Sequence, residues 1–203
     1  MITTDAPVLQ FEALGTEPRP RLWTREEFHR MADAGFFHGQ RAELLEGEVM
    51  VLSPQKAPHF TTTERVVERL RSAFGTGFHV RMQGPIELGV HSEPEPDVAV
   101  VVGRGEQYST HHPTTALLVV EVSDTTLSSD RTRKASLYAR AGIADYWIVN
   151  LVDSQLEVRR TPVADAIQVY GHGYSSVTAL RPPATVSPLA APHVSLPVAD
   201  LIG

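Results

Sequence analysis

Three valine-rich runs constrain what this chain can fold into. They are Val98-Ala99-Val100-Val101-Val102, Ala116-Leu117-Leu118-Val119-Val120 and Tyr146-Trp147-Ile148-Val149. Apolar stretches of this kind, two of them followed by loop or helix signals, predict central strands buried on both faces. A buried strand excludes charge, yet Asp97 opens the first run and Glu121 closes the second. A carboxylate in such a place costs several kcal/mol of desolvation unless a cation or strong donors hold it.

A divalent metal answers that cost, because hard cations such as Mg²⁺ (or Mn²⁺) take oxygen ligands and keep water and phosphate in their remaining positions. Asp97 and Glu121 supply two carboxylates, and the backbone carbonyl of Val122 is the simplest third ligand. Lys134 follows Glu121 by thirteen positions (134 − 121) on a predicted helix, within reach of the strand end. Its ammonium there stabilises charge on a phosphate or orients an attacking water.

Pro96-Asp97 followed by Glu121-Val122-Ser123 resembles the PD-(D/E)XK nuclease signature, in which a proline-aspartate and a Glu-x-Lys lie on adjacent strands. More closely, the chain resembles the Uma-two family of restriction-endonuclease-like proteins. The likeness runs through Glu43-Leu44-Leu45-Glu46-Gly47-Glu48, His59, Pro96-Asp97, Glu121-Val122-Ser123, Asp130, Lys134, Tyr138, Gly142-Ile143 and Tyr146-Trp147-Ile148-Val149, spanning residues 24 to 160. It implies a metal-dependent endonuclease with Asp97, Glu121 and Lys134 as catalytic residues and Glu43 as a candidate third acid. His59, Asp130 and Tyr138 are implied around them. The third position of Glu-x-Lys is Ser123, so the resemblance implies a lysine that has migrated to position 134. A homodimer follows by analogy, since nucleases that cut duplexes often need two sites.

The 203 residues, 42% hydrophobic and 21% charged, suffice for one globular domain with a sizeable core. The absence of cysteine excludes a disulfide framework and a thiolate zinc site, and fits a reducing cytoplasm. Met1-Ile2-Thr3-Thr4-Asp5 does not read as a signal peptide, and no run approaches membrane-spanning length. The net charge of −6 weighs against a sequence-independent nucleic-acid binder, although a local basic surface matters more than the total. Arg65, Arg69 and Arg71 interleave with Glu64 and Glu68 and read as a solvated helix face. Arg131, Arg133, Lys134 and Arg140 have no acid among them and read either as phosphate contacts or as ordinary surface charge.

Along the chain, residues 1–22, with Pro7, Pro18 and Pro20, predict a flexible arm, and 23–203 a single nuclease-like domain. Thr24-Arg25-Glu26-Glu27 has capping-box spacing, with Gly35 as a stop. Ala42 to Leu52 reads as a hairpin turning at Glu46-Gly47, which leaves Glu43 either as the third acid or as an exposed strand residue. His59 opens a helix carrying Val66, Val67, Leu70 and Phe74. Phe78–Met82 and Pro85–Val90 read as an antiparallel pair, while Glu93 and Glu95 are loop acids that compete with Asp97 for the ligand role. His111-His112 reads as loop. Asp130 reads as a helix cap or first-turn acid, and Asp130, Lys134 and Tyr138 share a face. The plain reading of that face is an Asp130–Lys134 helix pair worth about 0.2–0.5 kcal/mol. Segments at 156–159, 167–170 and 174–177 alternate like an antiparallel meander, and 182–203 reads as short strands or loops.

The expected architecture is an α/β, restriction-endonuclease-like single domain. Its mixed central sheet uses strands at 97–102, 117–123 and 145–151, flanked by helices at 57–75 and 129–141, with additional antiparallel strands. The expected function is Mg²⁺-dependent phosphodiester hydrolysis of nucleic acid, DNA first. The competing readings are a catalytically inactive nucleic-acid-binding or protein-interaction module with the same fold, and a metal-dependent hydrolase of a small phosphoester.

Overall fold

Local signals fix the first elements. The computed structural model describes residues 18–203, so most of the expected arm lies outside the described residues. In α1 (Arg25–Asp33) the Thr24 hydroxyl accepts from the Glu27 amide at 3.2 Å, while the Glu27 carboxylate accepts from the Thr24 amide at 3.0 Å. This is the reciprocal box that the sequence predicts. The Glu46-Gly47 turn, with φ of 49° and 83°, joins β1 (Arg41–Leu45) to β2 (Glu48–Leu52), as two-residue hairpins require. α2 (Ala57–Phe74) buries Val66, Val67, Leu70 and Phe74 along one stripe and stops at Gly75.

The main sheet has six strands in the order β3 (Phe78–Met82), β4 (Val98–Val102), β5 (Leu118–Ser123), β6 (Asp145–Asn150), β7 (Gln155–Ala164) and β8 (His172–Leu180). β5 and β6 run parallel and the other neighbours antiparallel, so the sheet is mixed. A parallel pair needs a crossover, supplied here by α3 (Leu127–Ser129), a wide helical turn at Asp130–Lys134 and α4 (Ala135–Arg140). The valine-rich runs are the three central strands. β5 and β6 are buried throughout.

Alternation assigns each residue of these strands to one of two cores. Val98, Val100, Val120 and Trp147 pack with α2 on one face, together with Leu201 of α5 (Ala199–Ile202). Ala99, Val101, Val119 and Tyr146 pack with Tyr138 of α4 on the other. Full burial of each aliphatic side chain is worth about 1.5–3 kcal/mol. The hairpin β1–β2 and the short pair β9 (Thr185–Val186) and β10 (Leu196–Pro197) form separate two-stranded sheets.

Two expected strands are absent from these positions. Pro85–Val90 does not pair with β3, whose partner is β4. It curls over the sheet instead, burying Ile86, with its amides spent on the carbonyls of Pro94, Pro113 and Ser92. Residues 167–170 form the turn between β7 and β8, where the Asp165 side chain accepts from the Ile167 amide and the backbone closes through Gln168 and Gly171.

Candidate active site

The antiparallel register pairs Val98 with Val120 and Ala99 with Val119, so one further step sets Asp97 against Glu121 at the end of the ladder. Both belong to the row that includes Ala99 and Val119, and both side chains therefore emerge on the α4 face. The Asp97 amide donates to Glu121 Oε2 at 3.4 Å, and Asp97 Oδ2 accepts from the Val122 amide at 2.8 Å. Each acid is buried, at 8% and 3% exposure.

Lys134 reaches this pair because the helix is locally unwound. In the wide turn the Ala135 amide bonds back to Asp130, five residues earlier, which alters the register of the residues that follow. Lys134 Nζ lies 3.0 Å from Glu121 Oε1 and 3.3 Å from Glu43 Oε2, and the Tyr138 hydroxyl donates to Glu121 Oε1 at 2.7 Å. Glu43 is buried on β1 and accepts from the Glu95 amide at 3.0 Å, so it is not an exposed strand residue. His59 Nε2 lies 3.2 Å from Asp97 Oδ2.

Asp130 takes the second of its two expected places, a first-turn acid, here of the wide turn. It is buried where the short first helix passes into the wide turn, and accepts from the Ser123 and Thr126 hydroxyls, each at 2.7 Å. Ser123, at the position where the signature has lysine, is thereby turned to holding Asp130. The Val122 side chain enters the α2 core, leaving only its backbone at the site.

Glu43, Asp97, Glu121, Asp130, His59 and Lys134 share a cleft of about 300 Å³, with Gln55, Lys56 and Glu95 at its wall. Burial raises the Glu121 carboxyl well above the usual range; Lys134 opposes that shift, while Asp97, Asp130 and Glu43 add to it. Burial alone would lower the Lys134 ammonium, but Glu121, Glu43, Asp130 and Asp97 hold it well above its ordinary value. Burial likewise opposes charge on His59, and Asp97, Asp124 and the Val122 backbone lift it above its ordinary value.

These residues suit a hard divalent cation. The donors are oxygens, the four carboxyls outnumber the one lysine, and Asp97 Oδ1 and Glu121 Oε2 are held only by long contacts of 3.5 and 3.4 Å. Among the described residues no three acids or imidazoles already converge as they would around an ion. The Lys134 ammonium stands between Glu121 and Glu43 instead.

The other predicted features separate clearly. Glu93 turns away to His29 and Arg25, and Glu95 pairs with Arg41 at the cleft wall, which leaves Asp97 as the acid facing Glu121. The basic cluster is neutralised: Arg131 pairs with Glu157, Arg133 with Glu48 and Arg140 with Glu46. Gln55 and Lys56 were not singled out by sequence, because nothing in a Ser-Pro-Gln-Lys loop marks it as a cleft wall.

An α/β core with a mixed sheet, two acids paired across adjacent strands and a lysine bonded to one of them defines a protein of the restriction-endonuclease-like class. The chain belongs to the Uma2 family, whose model, described as "Putative restriction endonuclease", matches residues 25–199. That match includes the C-terminal segment, in which the sequence alone offered no chemistry. Among solved structures, a "putative nuclease belonging to DUF820" from Anabaena variabilis ATCC 29413 superposes with a TM-score of 0.62 at 15% identity, covering 79% of this chain and 89% of that one. This likeness supports the fold. No curated protein matches the chain. Among the described residues no helix is long and apolar enough to cross a membrane.

Proposed function

We propose that this protein is a metal-dependent endonuclease that hydrolyses phosphodiester bonds of DNA. The observation that carries this reading is the Asp97–Glu121 pair on adjoining strand ends, open to a cleft and bonded to Lys134. Asp97 and Glu121 would hold Mg²⁺ (or Mn²⁺), with the Val122 carbonyl as a third donor and Glu43 completing the set. When bound, the ion supplies a Lewis acid for the scissile phosphate and lowers the pKa of water beside it.

The chain's own groups do the rest. The Lys134 ammonium, kept protonated by its acids, orients the attacking water or stabilises charge developing on phosphate. Tyr138 fixes one oxygen of Glu121, and His59 with the Val122 amide fixes Asp97. Two copies, one for each strand of a duplex, make a cytoplasmic homodimer the working form, which light scattering on the purified chain checks.

The test incubates supercoiled, linear and single-stranded DNA, and RNA, with Mg²⁺ or Mn²⁺ and either the wild type or Asp97→Ala. Cleavage that needs metal and vanishes in the variant supports the reading; equal cleavage by both proteins exposes a contaminant. One observation favours a second reading, a non-catalytic binding module: Lys134 already neutralises Glu121 and Glu43. Binding of nucleic acid without cleavage under either metal selects it.

A further inference from the structure

Of the two strands at the margins of the six-stranded sheet, β3 is guarded and β8 is open. None of the five residues of β3 is exposed, and the strand carries Arg81. In β8 five consecutive residues, Ser175 to Ala179, are exposed, so both faces of the strand meet solvent there, and Val177 keeps 53% of its surface. Helix α4 covers only the start of this strand, where the Ser136 hydroxyl donates to the His172 carbonyl at 2.7 Å and accepts from the Tyr170 amide at 3.0 Å. From Ser175 to Leu180, no hydrogen bond among the described residues reaches a backbone group from outside the β7 ladder.

An open edge is a template for another strand, and proteins blunt theirs with lysine, proline, a bulge or a covering element. Past the reach of α4, β8 has none of these. Residues 175–180 read Ser-Ser-Val-Thr-Ala-Leu, without charge or proline, and Val177 and Thr178 are β-branched residues suited to pairing. The order is also nearly the same read in either direction about Val177: Ser176 and Thr178 are hydroxyls, Ser175 and Ala179 are small, and Tyr174 and Leu180 are large. A two-fold interface sets one surface against itself, so each residue must suit the residue it meets. This stretch meets that condition, and two copies of it bring no like charges together. A polyanion, by contrast, finds no cation on it.

We propose that β8 pairs antiparallel with β8 of a second copy of this chain, with Val177 on the two-fold axis, so that the two sheets join into one. Val177 then faces the partner's Val177, while Ser176 faces the partner's Thr178 and the two hydroxyls bond across the strands. The occupant rests on the two-copy working form proposed for this protein; the interface goes beyond it.

Sedimentation equilibrium on the full chain, without metal or nucleic acid, tests this. The wild type should dimerise at micromolar concentration. Val177→Lys should raise the dimer dissociation constant at least about tenfold by setting two ammonium groups against each other, and Val177→Asp should do the same with carboxylates. The exposed position keeps each variant folded, which circular dichroism checks. Mixing the two variants should restore the dimer, because lysine then faces aspartate. A wild type that stays monomeric overturns the proposal. So does a dimer that both substitutions leave intact, or a mixture that associates no better than either variant alone. Because no step involves cleavage, failure here leaves the hydrolytic reading standing, and failure to cleave DNA leaves this interface standing.

Discussion

The Lys134 ammonium bonds to Glu121 at 3.0 Å and leaves Asp130, four residues before it in the chain, to the hydroxyls of Ser123 and Thr126. An ordinary α-turn sets an aspartate and a lysine at this spacing side by side. Here one extra residue in the turn separates them, so that one acid anchors the helix and the other takes the lysine. The helix thus delivers to β5 a charge that β5 itself lacks at Ser123.

Replacing Glu121 by Gln should keep the fold and weaken Mn²⁺ binding at least about tenfold, since a carboxylate ligand is exchanged for a neutral one of the same shape. Calorimetric titration with circular dichroism as a fold control decides it. Unchanged affinity would place the ion elsewhere.

Lys134→Arg should not rescue Lys134→Ala. A planar guanidinium cannot occupy the point held by an ammonium between Glu121 and Glu43. Both variants should lower kcat by about 10² or more while oligonucleotide affinity changes only a few-fold. A loss confined to affinity would make Lys134 a phosphate contact.

Glu157 gives the fold an acid-labile point. Burial alone would raise its carboxyl, but hydrogen bonds from Arg131, Asn150 and Arg159 bring it down to about 2. Because the folded value lies below the unfolded one, its contribution is complete above about pH 4.5 and is lost as pH falls toward about 2. The amount at stake is about 3 kcal/mol. Urea unfolding across that window should show a steeper loss of stability in the wild type than in Glu157→Gln; parallel curves would contradict the assignment.

Gly47→Ala should destabilise the protein by about 1–3 kcal/mol. Gly47 has φ of 83°, and an added Cβ would meet Leu22 Cβ at 2.6 Å, where the entering chain crosses the hairpin turn. Denaturant midpoints measure this, and a change within error would mean that residues 22–23 shift freely.

The fold was legible wherever a local rule and the tertiary outcome agree. The Thr24–Glu27 box, the Glu46-Gly47 turn and the three valine runs all form as the sequence predicts. Pro85–Val90 departs from the strand its residues predict because they serve as a cover over the sheet, and such a cover has no periodicity of its own. At the site, Asp97 and Glu121 stood out because charge beside buried valines is conspicuous. Lys134 was placed near Glu121, but the turn that brings it there depends on hydrogen-bond spacing, which composition does not encode. The partners of the basic residues at 131–140 are not visible along the chain, since Glu48, Glu46 and Glu157 arrive from other elements.

Glu43 reaches the cleft on a ribbon that shares no ladder with the six-stranded sheet and is tied to the crossover helix through Glu46–Arg140 and Glu48–Arg133. Such a ribbon is a separate fitting: away from its anchored Glu46-Gly47 turn, its strands can change composition over generations without re-registering any strand of the central scaffold. Divergence among descendants in what the cleft accepts is therefore expected to concentrate at this ribbon, while the paired strands that present Asp97 and Glu121 stay as they are.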